Sequence, residues 1–151
     1  MTLWASLPVA NTFAGIMESQ ISNSEQSAIT SLAIPIVLLD TAGGKLVIKG
    51  SIALRDSLQF FEPVLQVIRP DLIAHDFDVK VDLEYCDKHS WKAILAIVRQ
   101  LNLLARNGRT VRIEWYYSSE NDNIREMGNA FDFLFNLDFD FIRRDPVKQA
   151  G

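Results

Sequence analysis

The sequence is poor in the residues that build disulfides, metal centres and membrane spans. One cysteine and two histidines in 151 residues allow no internal disulfide and fall short of the usual ligand set for zinc. The longest apolar run, residues 32–39, is much shorter than the roughly 20 residues that cross a bilayer. No Lys or Arg precedes Lys45, so the basic start of a signal peptide is missing. We therefore expect a cytoplasmic protein without membrane insertion.

Basic charge and phosphate-binding loops are also scarce. The net charge of −4 and the pI near 5.1 argue against binding to nucleic acid, which favours a basic surface. Gly43 and Gly44 lie in a hairpin turn rather than in a glycine-rich loop before a helix, so we expect no nucleotide cofactor. With 48% hydrophobic residues, the chain is long enough for one globular domain.

The composition changes near Ile34. Residues 1–33 carry only two charged side chains, Glu18 and Glu25, and their weak periodicity predicts a flexible N-terminal tail. We place an α/β domain at residues 34–145 and a C-terminal tail at 146–151.

Strand-like and helix-like patterns alternate from Ile34 onward. Their order, β-β-α-β-α-β-α-β, predicts a mixed sheet of about five strands that is opened by an antiparallel hairpin and covered by three main helices. Pro63 lies inside the first helical pattern, so this helix either kinks there or begins later. The expected strands lie near residues 36–40, 45–50, 78–85, 110–117 and 139–142. The apolar residues expected to face inward from the helices are Leu58, Phe61, Leu65, Ile68, Ile94, Leu95, Val98, Leu101, Ala105, Ile124, Met127, Phe131, Leu134 and Phe135.

The segment YCDKHSWKAIL, residues 85–95, gathers reactive side chains between a strand and a helix. A small enzyme could use Cys86, His89 and Ser90, but neighbours in sequence rarely point at one another at such a junction. A metal site would need further ligands, and His75 is distant in sequence. Cys86 is best interpreted as a half-buried residue at a strand end, and we expect no metal.

Ser90 has two interpretations. It is suited to cap the N-terminus of the following helix, a common role for serine. The same position would let an added phosphate meet free backbone amides and the positive end of the helix dipole, with Lys88, His89 and Lys92 partly balancing its charge. We expect the Ser90 hydroxyl to be exposed to solvent.

Residues 34–142 resemble the SiaC family of bacterial regulatory phosphoproteins, which are similar in shape to the STAS anti-sigma-factor antagonists. The pieces that carry the resemblance are Pro35, Asp40, Gly44, KLVIKG (45–50), FFEPVL (60–65), LEY (83–85), KAIL (92–95) and EWYYSSENDNIREMGNAFDFL (114–134). The last piece is the most specific. The resemblance implies a STAS-like, non-enzymatic module for partner switching.

In that family a kinase phosphorylates a Ser or Thr, a metal-dependent serine/threonine phosphatase removes the phosphate, and the unphosphorylated form activates a diguanylate cyclase, which promotes biofilm formation. The phosphorylated segment corresponds here to CDKHSW, where only Ser90 has a hydroxyl. The tentative partner-binding residues are Asp87, Lys88, His89, Trp91 and Lys92.

This segment departs from the family's run of hydroxyl residues, and SIALRD (51–56) departs from a second family pattern. A divergent module that binds its partner constitutively is therefore the first alternative to a phosphorylation switch. The enzyme with Cys86, His89 and Ser90 is the second.

Overall fold

A computed structural model describes residues 32–144, so the predicted tails lie outside the described residues apart from positions 32 and 33. The described chain forms five strands and three helices in the predicted order, and the predicted α/β class is confirmed. The strands are β1 (Ile36–Asp40), β2 (Lys45–Ile52), β3 (Phe77–Cys86), β4 (Val111–Tyr117) and β5 (Asp138–Arg143); the helices are α1 (Ser57–Val67), α2 (Lys88–Arg106) and α3 (Asp122–Leu134).

The strands form a single sheet in the order β1-β2-β3-β4-β5. The β1–β2 hairpin is antiparallel, whereas the other three pairs are parallel. The hairpin turn requires glycine at Gly44, where φ is +69° and a Cβ atom would lie 2.4 Å from the carbonyl oxygen of Asp76. Any other residue would be strained there, which explains why a turn between two well-formed strands ends in glycine.

All three helices lie on one face of the sheet. Each parallel strand pair is joined through one helix to its direct neighbour, and right-handed crossovers in one direction place successive helices on the same side. The core lies between the two layers and includes Trp115, whose side chain is fully buried. Its indole Nε1 donates a 2.9 Å hydrogen bond to the carbonyl of Ile124 in α3.

Within residues 32–144 no helix covers the opposite face of the sheet, which we call the bare face, and this face carries a row of alternating charges. Lys45 of β2 lies opposite Asp78, Asp78 opposite Arg112, and Arg112 opposite Asp138. All four side chains are exposed. Opposite charges on facing strands stabilise a sheet, so this row favours the exposure of these four side chains to water. We call these four residues the charge row.

Helix α1 runs through Pro63 instead of starting after it. Asp56 caps the helix by accepting a 3.1 Å hydrogen bond from the backbone N–H of Gln59. Proline leaves the carbonyl of residue i−4 without its helical partner; here that residue is Gln59, which is exposed to solvent. Leu58, which the pattern predicted to face inward, is 38% exposed because the buried stripe of α1 passes through Phe60, Phe61 and Val64.

The buried stripes of α2 and α3 agree with most of the sequence pattern. Leu95 and Ala105 of α2 are half-buried rather than buried. Leu134 was predicted to be inward but is 61% exposed, because it is the final residue of α3 and the chain leaves the helix before the stripe returns to the core. No helix within residues 32–144 is long and apolar enough to cross a membrane.

Candidate partner-binding site

The junction between β3 and α2 is built around Asp87. Helix α2 begins at Lys88, and the Asp87 carboxylate accepts a 2.9 Å hydrogen bond from the backbone N–H of Ser90. The backbone N–H of Asp87 in turn donates to the carbonyl of Ile52 at the end of β2. Asp87 is therefore the N-cap, and Ser90 belongs to the first turn of the helix rather than to its cap.

Ser90 is fully buried, with none of its surface exposed to solvent. The prediction of an exposed hydroxyl is therefore wrong. Its Oγ accepts a 3.4 Å hydrogen bond from the backbone N–H of Leu54. A helix that begins at Lys88 turns Ser90 onto the inward face, one turn before Ile94 and two turns before Ile97.

A second buried hydroxyl completes a link between α1 and α2. Ser57, at the start of α1, is 3% exposed and donates a 3.1 Å hydrogen bond to the carbonyl of His89. With the bond from Leu54 to Ser90, this bond fastens the start of α1 to the start of α2. We call these two hydrogen bonds the hydroxyl clasp.

The sequence analysis missed Ser57 and Leu54 as parts of this site. Leu54 belongs to SIALRD (51–56), and the structure places it against Ser90 of CDKHSW. The two segments that depart from the family's patterns thus contact each other. Their joint departure was the available signal, although only the fold could show that residues 36 positions apart meet.

Of the five predicted partner-binding residues, three are exposed and two make structural contacts. Lys88, His89 and Lys92 are exposed. Trp91 is half-buried and packs against Phe131 of α3, with the ring centroids 6.1 Å apart. Asp87 is occupied as the helix cap. The surface that the junction offers to another molecule is therefore cationic.

Charge on α2 has a single sign. The helix has 19 residues and no Asp or Glu, and its first turn lacks an acidic residue. Lys88 instead lies at the positive end of the helix dipole, where a cation typically costs about 0.3–1 kcal/mol. Lys88 and Lys92 are also like charges one turn apart, which costs a few tenths of a kcal/mol more. At the start of the helix this distribution is unfavourable, whereas Arg106 in the last turn has the sign that the dipole favours.

Cys86, His89 and Ser90 do not form a catalytic arrangement. Burial raises the pKa of the Cys86 thiol to about 12, and the Asp87 carboxylate beside it adds to the shift, so the thiol stays protonated at neutral pH. Within residues 32–144, no hydrogen bond joins the side chains of these three residues. The same part of the chain contains no group of three or more His, Cys, Asp or Glu residues that could hold a metal ion.

These features define a small α/β domain with one bare sheet face and a cationic junction between strand and helix. The chain belongs to the SiaC family of regulatory phosphoproteins, whose family model matches residues 28–144. No curated protein sequence matches the chain at a significant level.

Solved structures of SiaC from Pseudomonas aeruginosa have a similar fold. SiaC in its complex with the diguanylate cyclase SiaD, which it activates, is 22% identical with a TM-score of 0.66, over 74% of this chain and 93% of that one. Apo-SiaC is also 22% identical, with a TM-score of 0.65 over 73% and 91% of the two chains. At this level of identity the likeness establishes the fold.

Proposed function

We propose that this chain is a non-enzymatic bacterial signalling protein that binds and regulates a partner protein in the cytoplasm. The observation that carries the proposal is the match to the SiaC family over residues 28–144. A diguanylate cyclase is the proposed partner, because the similar SiaC is described as the activator of the cyclase SiaD in their complex. The output would then be the level of cyclic di-GMP and, through it, biofilm formation.

Switching by phosphorylation of Ser90 is part of this proposal and requires a conformational change. A kinase must reach the Ser90 hydroxyl, which is fully buried and held in the hydroxyl clasp. Phosphorylation therefore requires the start of α1 to separate from the start of α2. Phosphate would then keep the clasp open, because a dianion does not fit where a neutral hydroxyl was buried. A metal-dependent serine/threonine phosphatase would reverse the change.

A second candidate is a module that binds its partner constitutively, and the burial of Ser90 favours it. The exposed residues in the first turn of α2 are Lys88 and His89, which have no hydroxyl. In this candidate the junction remains cationic, and no kinase changes it. The two candidates share the partner and differ only in the switch.

Phosphopeptide mapping after co-expression with the cognate kinase separates the two candidates. The wild-type chain is compared with Ser90→Ala and with His89→Ser, which places a hydroxyl at an exposed position in the same turn. Phosphate on wild-type Ser90 supports the switch. Phosphate on the His89→Ser variant alone shows that the kinase recognises the segment and supports the constitutive module.

Affinity for the purified cyclase, measured before and after kinase treatment, tests the shared part of the proposal. We expect the unmodified chain to bind with micromolar affinity or tighter and to raise cyclase activity. Failure of the unmodified chain to bind any diguanylate cyclase of its own organism would refute the proposed partner. Phosphate on a residue outside CDKHSW would refute the assignment to Ser90.

A further inference from the structure

The outer face of α2 carries cations at a regular spacing. Lys92, Arg99 and Arg106 recur every seventh residue, and all three are exposed. The ion pairs within residues 32–144 are Arg69 with Asp71 and Arg144 with Asp82, so none of the three cations is paired in this part of the chain. Their charges are available to another molecule.

These side chains form one straight line on the helix. At about 100° per residue, Lys88, Lys92, Arg99 and Arg106 fall within a sector of roughly 40° and extend along about 27 Å of the helix axis. Leu103 lies beside them on the same face and is 41% exposed. We call the four cations and Leu103 the cationic row.

We propose that the cationic row is a docking surface for an acidic α-helix of a partner protein, in which carboxylates also recur about every seven residues. This inference rests on the proposed function, since it specifies the surface and the partner chemistry of the same interaction. Facing helices with a shared seven-residue repeat keep their contacts in register along several turns. Carboxylates at that repeat could meet Lys92, Arg99 and Arg106 in succession, with an apolar residue covering Leu103.

The surroundings of the cationic row favour a narrow partner. Helix α3 beside it exposes Glu126 and Asp132, and helix α1 exposes Glu62. A bilayer or a nucleic acid spreads negative charge over a wide area and would also meet these acids. A single helix, about 10 Å across, can cover one row and avoid them. The whole chain has a net charge of −4, so an acidic partner is attracted only where it faces the cationic row.

Peptide binding tests the surface independently of the natural partner. The probe is a fluorescent helical peptide of three heptads with glutamates at a seven-residue spacing, compared with a peptide of equal composition whose glutamates are moved off the repeat. The test variant is Arg99→Gln with Arg106→Gln. Its matched control, Lys45→Gln with Arg112→Gln, removes the same charge from exposed positions on the bare sheet face.

We expect the test variant to bind the repeat peptide about tenfold more weakly than the wild-type chain, from two exposed ion pairs, and the control to bind unchanged. Equal losses in both variants, or equal binding of the two peptides, would overturn the inference. Tighter binding of the row to a DNA duplex or to phosphatidylglycerol vesicles would overturn it in favour of a different partner class.

Photo-crosslinking in native cells separates the inference from the proposed function. A benzophenone amino acid replaces Leu103 in the cationic row or Ile36 on the bare face, where the side chain is 57% exposed. A crosslink from position 103 to an acidic helix, lost in the Arg99→Gln, Arg106→Gln background, supports the inference. A crosslink from position 36 alone shows that a partner binds the bare sheet face and not the cationic row. This result would overturn the inference and leave the proposed function standing. If the chain binds a cyclase but gives no crosslink from position 103, the inference is overturned and the proposed function stands. If the chain binds no cyclase, the proposed partner is refuted, and the peptide assay alone tests the cationic row.

Discussion

Replacing Ser90 by Asp should destabilise the domain rather than imitate phosphate on a folded surface. Ser90 is fully buried, so the new carboxylate enters a site without a cationic partner, at a cost of several kcal/mol. The Leu54 amide and the helix dipole offset part of this cost. We expect a net loss of about 3 kcal/mol in the free energy of unfolding.

Ser90→Ala should cost less, about 1 kcal/mol. It leaves the buried backbone N–H of Leu54 without the Ser90 oxygen, and leaving a buried donor unsatisfied typically costs 1–3 kcal/mol. The bond is long, at 3.4 Å, which places the loss at the lower end. The binding of this variant to its partner should be preserved, since the substitution changes no exposed side chain.

His89→Asp is the matched control, because it places the same carboxylate one residue earlier at an exposed position. An acid in the first turn of a helix is favourable, so this variant should be as stable as the wild type or more stable by up to about 1 kcal/mol. Urea denaturation at neutral pH measures all three variants. Ser90→Asp with the stability of His89→Asp would refute the argument from burial.

The pH dependence of Ser90→Asp provides a second check. Burial without a cationic partner should raise the pKa of the new carboxyl in the folded state above its value in the unfolded chain. The folded state then binds a proton more readily, so the loss of stability should be constant above the raised pKa and should shrink as the pH falls through it toward the pKa of the unfolded chain. A deficit that is constant between neutral and acidic pH would indicate a steric cause.

Three further predictions concern the core and the loops. Gly128→Ala should lower the free energy of unfolding by about 1–2 kcal/mol, measured by thermal unfolding. The added Cβ would lie 2.5 Å from Nε1 of the fully buried Trp115, and this crowding outweighs the roughly 1 kcal/mol gained in helix propensity. A stabilised variant would show that the indole can move. Cys86, whose thiol pKa is raised to about 12 by burial, should react with a disulfide reagent at pH 8 only after denaturation, and rapid labelling of the native chain would contradict its burial. Arg109→Ala should lower the free energy of unfolding by about 1.5–3 kcal/mol, because the guanidinium donates hydrogen bonds of 2.7–2.8 Å to three backbone carbonyls. A decrease of less than about 0.5 kcal/mol would show that these bonds add little to stability.

The sequence predicted the strands and their order well, because each strand has a clear apolar pattern between turn residues. The predicted strands at 36–40 and 78–85 correspond to Ile36–Asp40 and Phe77–Cys86. The resemblance of residues 34–142 to the SiaC family also implied a STAS-like α/β domain. These features depend on local spacing, which a single sequence displays.

The site was harder to predict because it depends on where one helix starts. The sequence analysis took Ser90 as the cap, which points its hydroxyl outward. Asp87 is the cap in the structure, and the same hydroxyl points inward. Ser90 also continues the apolar spacing of Ile94 and Ile97, which was the signal for its burial.

The charge row attracts charged molecules only weakly, because its charges alternate in sign. Neighbouring strands are about 4.8 Å apart, so each charge from Lys45 to Asp138 has an opposite charge closer than the Debye length of about 8 Å at physiological salt. The fields of these four charges largely cancel within a few ångströms of the surface, so the charge row exerts little net force on an approaching molecule. Helix α2, which carries charge of one sign, therefore orients charged partners more strongly than the charge row does.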